Sequence, residues 1–272
     1  MYPFSYCRPE SVQAAVSFLR QNADACCLSG GMSLLPSMKL RLSAPTGLVD
    51  LTRIAGLAGI SWCEAASVMR IGATATHYEV SQSSLLRTKV PSLCRLAGGI
   101  GDVQVRYRGT IGGSIANNDP AADYPAAALA LNARIVTDRR VISADEFFCG
   151  LFQTSLDRDE IITSVDFPVP SRAAYIKFAN KASRFAIVGV FLADFEGVVR
   201  VAVTGAGSGV FRLPAHERAL SSAFTPEAIE SISLDAANLT DDLHASAAYR
   251  AYLTGVLVRQ AVSACIEDRG VS

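Results

Sequence analysis

The chain has 272 residues, half of them hydrophobic and only 18% charged, with 25 acidic side chains against 25 basic ones. Such a chain folds rather than staying disordered, and it is long enough for one large domain or two modest ones. With no basic excess and no arginine cluster it is not expected to bind nucleic acid, and no apolar run reaches the roughly 18 residues of a membrane span. The low charged fraction fits a chain whose apolar surface is partly covered by another subunit. The opening residues, MYPFSYCRPESV, lack a basic stretch followed by an apolar one, so a cytoplasmic protein without a secretory signal is expected.

In chain order, residues 9–23 open with Pro-Glu-Ser and place Val12, Ala15, Val16 and Leu19 at helical spacing, which predicts a helix. A strand over 25–29 runs into Gly30-Gly31. A helical stretch and a buried strand around Leu48–Leu51 follow, making a small α/β unit. Residues 59–63 and 68–72 read as a β pair. A short helix is expected over 78–86 and another over 91–99, closed by Gly98-Gly99; residues 100–108 lead into a second glycine pair. Residues 121–132 read as helix, 134–137 with 141–143 as a hairpin, and 160–168 as a strand. Pro168-Val169-Pro170 marks a boundary. Beyond it come three strands (174–177, 187–194, 198–205), a Gly-rich loop at 205–209 and helices over 225–231 and 244–262. Tyr249, Tyr252, Leu253, Val256 and Leu257 are expected on the apolar face of the last helix.

Two stretches carry the chemistry. Leu28-Ser29-Gly30-Gly31-Met32-Ser33-Leu34 and Thr110-Ile111-Gly112-Gly113-Ser114 are diglycine loops about 80 residues apart, each flanked by hydroxyl side chains. Glycine removes the Cβ that would hold a phosphate away from the backbone and opens positive φ. A lone Gly-Gly is ordinarily a turn, but two such loops with hydroxyl donors suggest one diphosphate held from both sides, hence a dinucleotide. Asp123 could take a ribose hydroxyl or cap the helix that follows. Neither loop is the G-x-G-x-x-G fingerprint or the G-x-x-x-x-G-K-[ST] phosphate loop.

No nucleophile elbow and no H-E-x-x-H is present. The seven cysteines (7, 26, 27, 63, 94, 149, 265) have no C-x-x-C spacing, which argues against an iron–sulfur or zinc site and favours buried reduced thiols. His77, His216 and His244 are far apart in sequence. A chain that binds a dinucleotide without an evident acid, base or nucleophile leaves bond-making to the cofactor or a partner.

The segments LSGGMSLLPSMKLRLSAP (28–45), IGDVQVRYRGTIGGSIANNDPAADYPAAALAL (100–131), NKASRFAIVGV (180–190) and DDLHASAAYRAYLTGVLVRQAV (241–262) resemble, in order and nearly end to end, the FAD-binding medium subunits of molybdenum hydroxylases. This family includes carbon monoxide dehydrogenase medium chains and xanthine dehydrogenase flavin subunits. The resemblance implies an α+β fold: an FAD-binding domain of the vanillyl-alcohol-oxidase (PCMH) type over 1–170, with subdomains of about 1–54 and 55–170. A C-terminal domain of three antiparallel strands plus helices would cover 171–272. It implies non-covalent FAD here, molybdopterin on a large subunit and 2Fe-2S clusters on a small one, assembled as a dimer of heterotrimers.

By position, the resemblance implies that Ser29, Gly30, Gly31, Met32, Ser33 and Leu34, with Thr110, Ile111, Gly112, Gly113 and Ser114, wrap the FAD pyrophosphate. Asn117 and Asp123 would lie by the diphosphate and ribose. Ile162 with Ile161, and Lys177 with Lys181, would lie close to the isoalloxazine, a lysine there steadying negative charge on the reduced ring; a solvated strand face is the other reading of the two lysines. No catalytic side chain and no metal ligand is expected. Two departures stand out. Met32 replaces the Gln, His or Thr common at its position, and Arg184 replaces an acidic residue before the F-A-I-V run, which alters the charge near the flavin. A stand-alone flavin oxidase of the same fold, or a scaffold that has lost FAD, are the competing readings.

Overall fold

The computed structural model of the chain describes residues 1–267. The first unit is β1 (Ser5–Cys7), α1 (Val12–Gln21), β2 (Ala25–Leu28), α2 (Leu34–Lys39) and β3 (Gly47–Asp50), a parallel sheet in the order β1-β3-β2. Ser11 caps α1 through its hydroxyl, which accepts from the Ala14 N–H at 3.2 Å. The helix buries Ala15, Val16 and Leu19 against Val49, Leu51 and Ile54, and Ile161 joins this core from far along the chain.

The second unit is larger. It comprises β4 (Ile60–Cys63), β5 (Val68–Gly72), α3 (His77–Gln82), α4 (Ser84–Lys89), α5 (Pro91–Gly98), α6 (Val103–Arg108), α7 (Ile111–Asn117), α8 (Tyr124–Ala130), β6 (Arg134–Thr137), β7 (Val141–Ser143), α9 (Ala144–Phe147), β8 (Phe148–Gly150), β9 (Gln153–Thr154) and β10 (Ile162–Pro168). Its antiparallel sheet runs β4-β5-β10-β6-β7. The central strand β10 buries Val165 and Phe167 fully, and Asp166 accepts both arms of the Arg70 guanidinium across the ladder at 2.8 and 2.7 Å. The 78–86 stretch expected as one helix is two: Ser83 stands between α3 and α4, its side chain accepting from the Leu86 N–H. Residues 103–108, expected only as a lead into the glycines, form α6, which Asp102 caps.

The third unit is β11 (Arg172–Ala179), β12 (Ala186–Phe195), β13 (Val198–Thr204), β14 (Phe211–Arg212), α10 (Pro214–Ser222) and α11 (Ala247–Glu267). Its sheet has four antiparallel strands rather than the expected three, because the short β14 pairs with β13 after the Gly-rich loop. The sheet is two-sided. Val188, Val190 and Leu192 alternate onto α10 and α11, while Phe191, Ala193 and Ala202 join the core of the second unit. On α11 the apolar face includes Leu253 and Leu257 as expected, but Tyr249 and Tyr252 are 41% and 68% exposed. The inward position goes instead to Arg250, whose guanidinium donates to Ile187 O (2.6 Å), Gly205 O (2.8 Å) and the Asp242 carboxylate (2.8 Å). No helix among the described residues is long and apolar enough to cross a membrane.

Candidate functional site

The first glycine segment follows β2. Gly31 has φ +72°, a conformation glycine adopts without a Cβ penalty. The turn closes with Leu35 N–H donating to Gly31 O at 3.1 Å. The backbone N–H groups from Gly30 to Leu34 have no hydrogen-bond partner among the described residues. Successive unpaired amides of this kind form a concavity suited to an anion. Gly30 is required by contact: a Cβ there would sit 2.2 Å from the carbonyl oxygen of Arg108, so this segment rests directly on the backbone that leads into the second one.

The second segment is not a loop. Gly112 and Gly113 lie in the first turn of α7, capped by Thr110, whose hydroxyl accepts from the Gly113 N–H at 3.2 Å. Ile111 N–H donates to Ala75 O (3.0 Å) and Gly112 N–H to Ala73 O (2.9 Å). A Cβ on Gly112 would come within 2.6 Å of the Ala73 carbonyl oxygen. Ile111 itself points into the core. The two segments are joined by a hydrogen bond between the hydroxyls of Ser29 and Thr110 at 2.9 Å.

His77 supports this second segment. Its backbone N–H donates to Gly109 O at 2.9 Å, its ring lies against Gly109 and tilts onto Tyr124 at 5.4 Å, and its Nδ1 is buried without a partner among the described residues. Burial, aided by the charge of Arg106, pushes its pKa down to about 4, so the imidazole is neutral.

The three units meet in a cleft of about 510 Å³, within the range of small-molecule and cofactor sites. It brings together most of the residues singled out from the sequence: Ser29 through Leu34, Thr110, Gly112, Gly113, Ser114, Asn117, Asp123 and Ile162. Ile111, Lys177 and Lys181 do not line it.

Asp123 is held differently from expectation. It is buried in the cleft wall, and its carboxylate meets the Lys177 ammonium at 2.9 Å and accepts from the Tyr175 hydroxyl. Burial raises its pKa against the opposing pull of Lys177. It makes no side-chain capping bond to α8. The neighbouring residues tie this segment to the C-terminal sheet, the single Thr204 hydroxyl proton lying between two acceptors, Pro120 O at 2.8 Å and Ala122 O at 2.6 Å.

Lys177 also donates to Gly99 O (2.8 Å) and Arg184 O (3.1 Å), so it acts as a strut between β11, the α5 end and the 180–185 turn. Lys181 sits exposed in that turn. Ile161 packs in the first unit's core and, with Ile162, also lines the cleft. Of the groups expected near the isoalloxazine, the isoleucines therefore line the cleft and the lysines do not.

Several lining residues gave no signal in the sequence. Cys26 and Cys27 line the cleft from β2, Ile100, Gly101 and Val105 from around α6, and Leu156 and Glu160 from the approach to β10. Glu160 is neutralised by Arg140 at 2.7 Å, which with its other hydrogen bonds draws its pKa down to about 2. The thiols are not uniformly buried: Cys94 and Cys265 are, whereas Cys27 and Cys149 are exposed.

Residues 2–170 match the family described as the FAD binding domain in molybdopterin dehydrogenase. The carbon monoxide dehydrogenase medium chain of Hydrogenophaga pseudoflava is 36% identical, covering 96% of each chain. The nicotine 6-hydroxylase medium subunit of Paenarthrobacter nicotinovorans is 35% identical over 94% of this chain and 95% of its own. A solved carbon monoxide dehydrogenase from Hydrogenophaga pseudoflava superposes with a TM-score of 0.86 at 33% identity, covering 98% of this chain and 99% of that one. The fold, the open amides and these relatives agree, and the chain belongs to the family of FAD-binding medium subunits of molybdenum hydroxylases.

Proposed function

We propose that this chain is the FAD-carrying electron-transfer subunit of a heteromeric molybdenum hydroxylase. It takes electrons from 2Fe-2S clusters of a small subunit and passes them to an external acceptor, while a large molybdopterin subunit hydroxylates the substrate. The assembly we infer is a dimer of heterotrimers in the cytoplasm; Cys7, Cys26, Cys27, Cys63, Cys94 and Cys149 are free thiols, as a reducing compartment requires. The working division is 1–170 for the FAD domain, with subdomains of about 1–54 and 55–170, and 171–272 for the C-terminal domain.

One observation supports this reading above the rest: the run of unpartnered amides from Gly30 to Leu34 opens on a cleft large enough for a dinucleotide. Those amides would hold the diphosphate. The Thr110 and Ser114 hydroxyls and the Asn117 amide would close over it from α7, with Ile162 as apolar wall. Met32 has no hydrogen-bonding side chain, and backbone contact is unaffected by it. When bound, FAD supplies the step between one-electron donors and a two-electron acceptor. The chain's own contribution is to bind it, orient it between three units and set the charge around it.

The test is to purify the chain and record its visible spectrum. The expected result is the two bands of oxidised flavin, lost from the protein on acid precipitation, with molybdenum and iron–sulfur chains co-purifying. A colourless chain that takes up no added FAD would overturn the proposal.

A further inference from the structure

The assignment of a cation to the bound ring rests on the proposed FAD reading. Lys177 is not that cation. An ammonium has three N–H donors, and all three have acceptors, in Asp123, Gly99 and Arg184. Its charge is cancelled by a buried carboxylate. Lys181 does not reach the cleft.

Arg184 does line the cleft, and its backbone is held in the left-handed region at φ +62°. Two contacts fix it there: its N–H donates to Asn180 O at 2.8 Å, and its carbonyl accepts from Lys177. Its guanidinium donates to Gly101 O at 3.3 Å. A second guanidinium, that of Arg106, donates to the same oxygen at 3.0 Å and to Ile100 O at 2.9 Å. Neither arginine forms an ion pair among the described residues. Of the carboxylates around the cleft, Asp123 is neutralised by Lys177 and Glu160 by Arg140. Asp119 accepts from the Ala121 N–H. Two guanidinium groups converge on the Gly101 carbonyl, and the carboxylate nearest to it in the chain, Asp102, is engaged in capping α6, so two positive charges stand against one negative at this end of the cleft.

We infer that Arg184, with Arg106 behind it, is the seat for negative charge on the flavin ring, and that it raises the potential of the bound FAD. Uptake of two electrons and one proton leaves the reduced ring with one negative charge. A cation beside that charge favours the reduced form over the neutral oxidised one. Arg184 is thus a tuning residue; it moves no proton. The tuning role expected of a lysine falls to this arginine because the fold engages Lys177 elsewhere.

The experiment uses the full chain loaded with FAD. Arg184→Asn removes the charge while keeping a residue that tolerates positive φ. The expected result is retained flavin with a midpoint potential lower by about 30 mV, a tenfold shift in a two-electron equilibrium. Sulfite, which adds to oxidised flavin and puts the same negative charge on the ring, should bind about tenfold more weakly. Arg184→Lys should recover most of both losses, and Arg106→Gln should show a smaller loss of the same sign. An Arg184→Asn protein with unchanged potential and sulfite affinity overturns the inference. A wild-type chain that binds no flavin overturns the underlying reading instead, and is recognised before any variant is made.

Discussion

The two glycine pairs look alike on paper and are built in opposite ways. At 30–34 the amides are open and the turn is held by its ends. At 110–114 the chain is stitched to its surroundings by bonds to Ala73 and Ala75 and closed on itself by the Thr110 cap, with His77 packed against the entry at Gly109. The first leaves its amides open to the cleft; the second also lines the cleft but spends its leading amides on the fold and so fixes the position of the first, with Gly30 on the Arg108 carbonyl and Ser29 on Thr110 as the joints. Glycine serves the first by permitting positive φ and the second by permitting close contact.

The largest effect should come from acid. His77 has its pKa lowered from 6.5 to about 4. Between those values the unfolded chain binds a proton that the folded chain refuses. The stabilisation is therefore complete above pH 6.5 and lost as pH falls toward 4, about 3 kcal/mol in all. Denaturant melts of the flavin-free chain across that window should show the slope, and His77→Phe should flatten it. An unchanged slope would mean the second segment is not anchored through this residue.

Next, Gly112→Val should destabilise the flavin-free fold by about 1–3 kcal/mol, because its Cβ collides with backbone. If that variant melts normally and only loses FAD, the two segments are alike after all. Gly31→Ala sharpens the contrast from the other side: left-handed strain of about 1–2 kcal/mol falls on the open turn. FAD should dissociate roughly tenfold more readily, a loss readable by fluorescence titration. The smallest effect is at the joint. A double-mutant cycle of Ser29→Ala and Thr110→Ala should give a coupling of about 0.5–1.5 kcal/mol, and additivity would deny that the hydroxyls meet.

Much of the fold was legible from local pattern. The amphipathic spacing of α1, the β4–β5 pair, the β6–β7 hairpin and the three long C-terminal strands all show in it, and the segments around the glycines carried the family. The misplacements have specific causes. The α7 turn reads as a loop because two glycines suppress helix propensity, yet the Thr110 cap and the Ala73 and Ala75 carbonyls just after β5 hold the helix. Tyr249 and Tyr252 count toward the apolar face in the sequence pattern, whereas in the fold Arg250 finds carbonyl acceptors inside and takes the inward position. Cys27 and Glu160 gave no sign of lining the cleft, since their roles depend on which unit lies opposite.

What the sequence determined by itself is most of the elements, the glycine pairs that free the backbone, and the kinship that names FAD. What only the tertiary structure decided is the bonding state of each polar group: which amides stay open, which lysine is neutralised by Asp123, and which arginine is left facing the cleft. Backbone geometry and amphipathicity are encoded within a few residues. Whether an N–H or a charge finds a partner depends on groups contributed by strands and turns up to a hundred residues away.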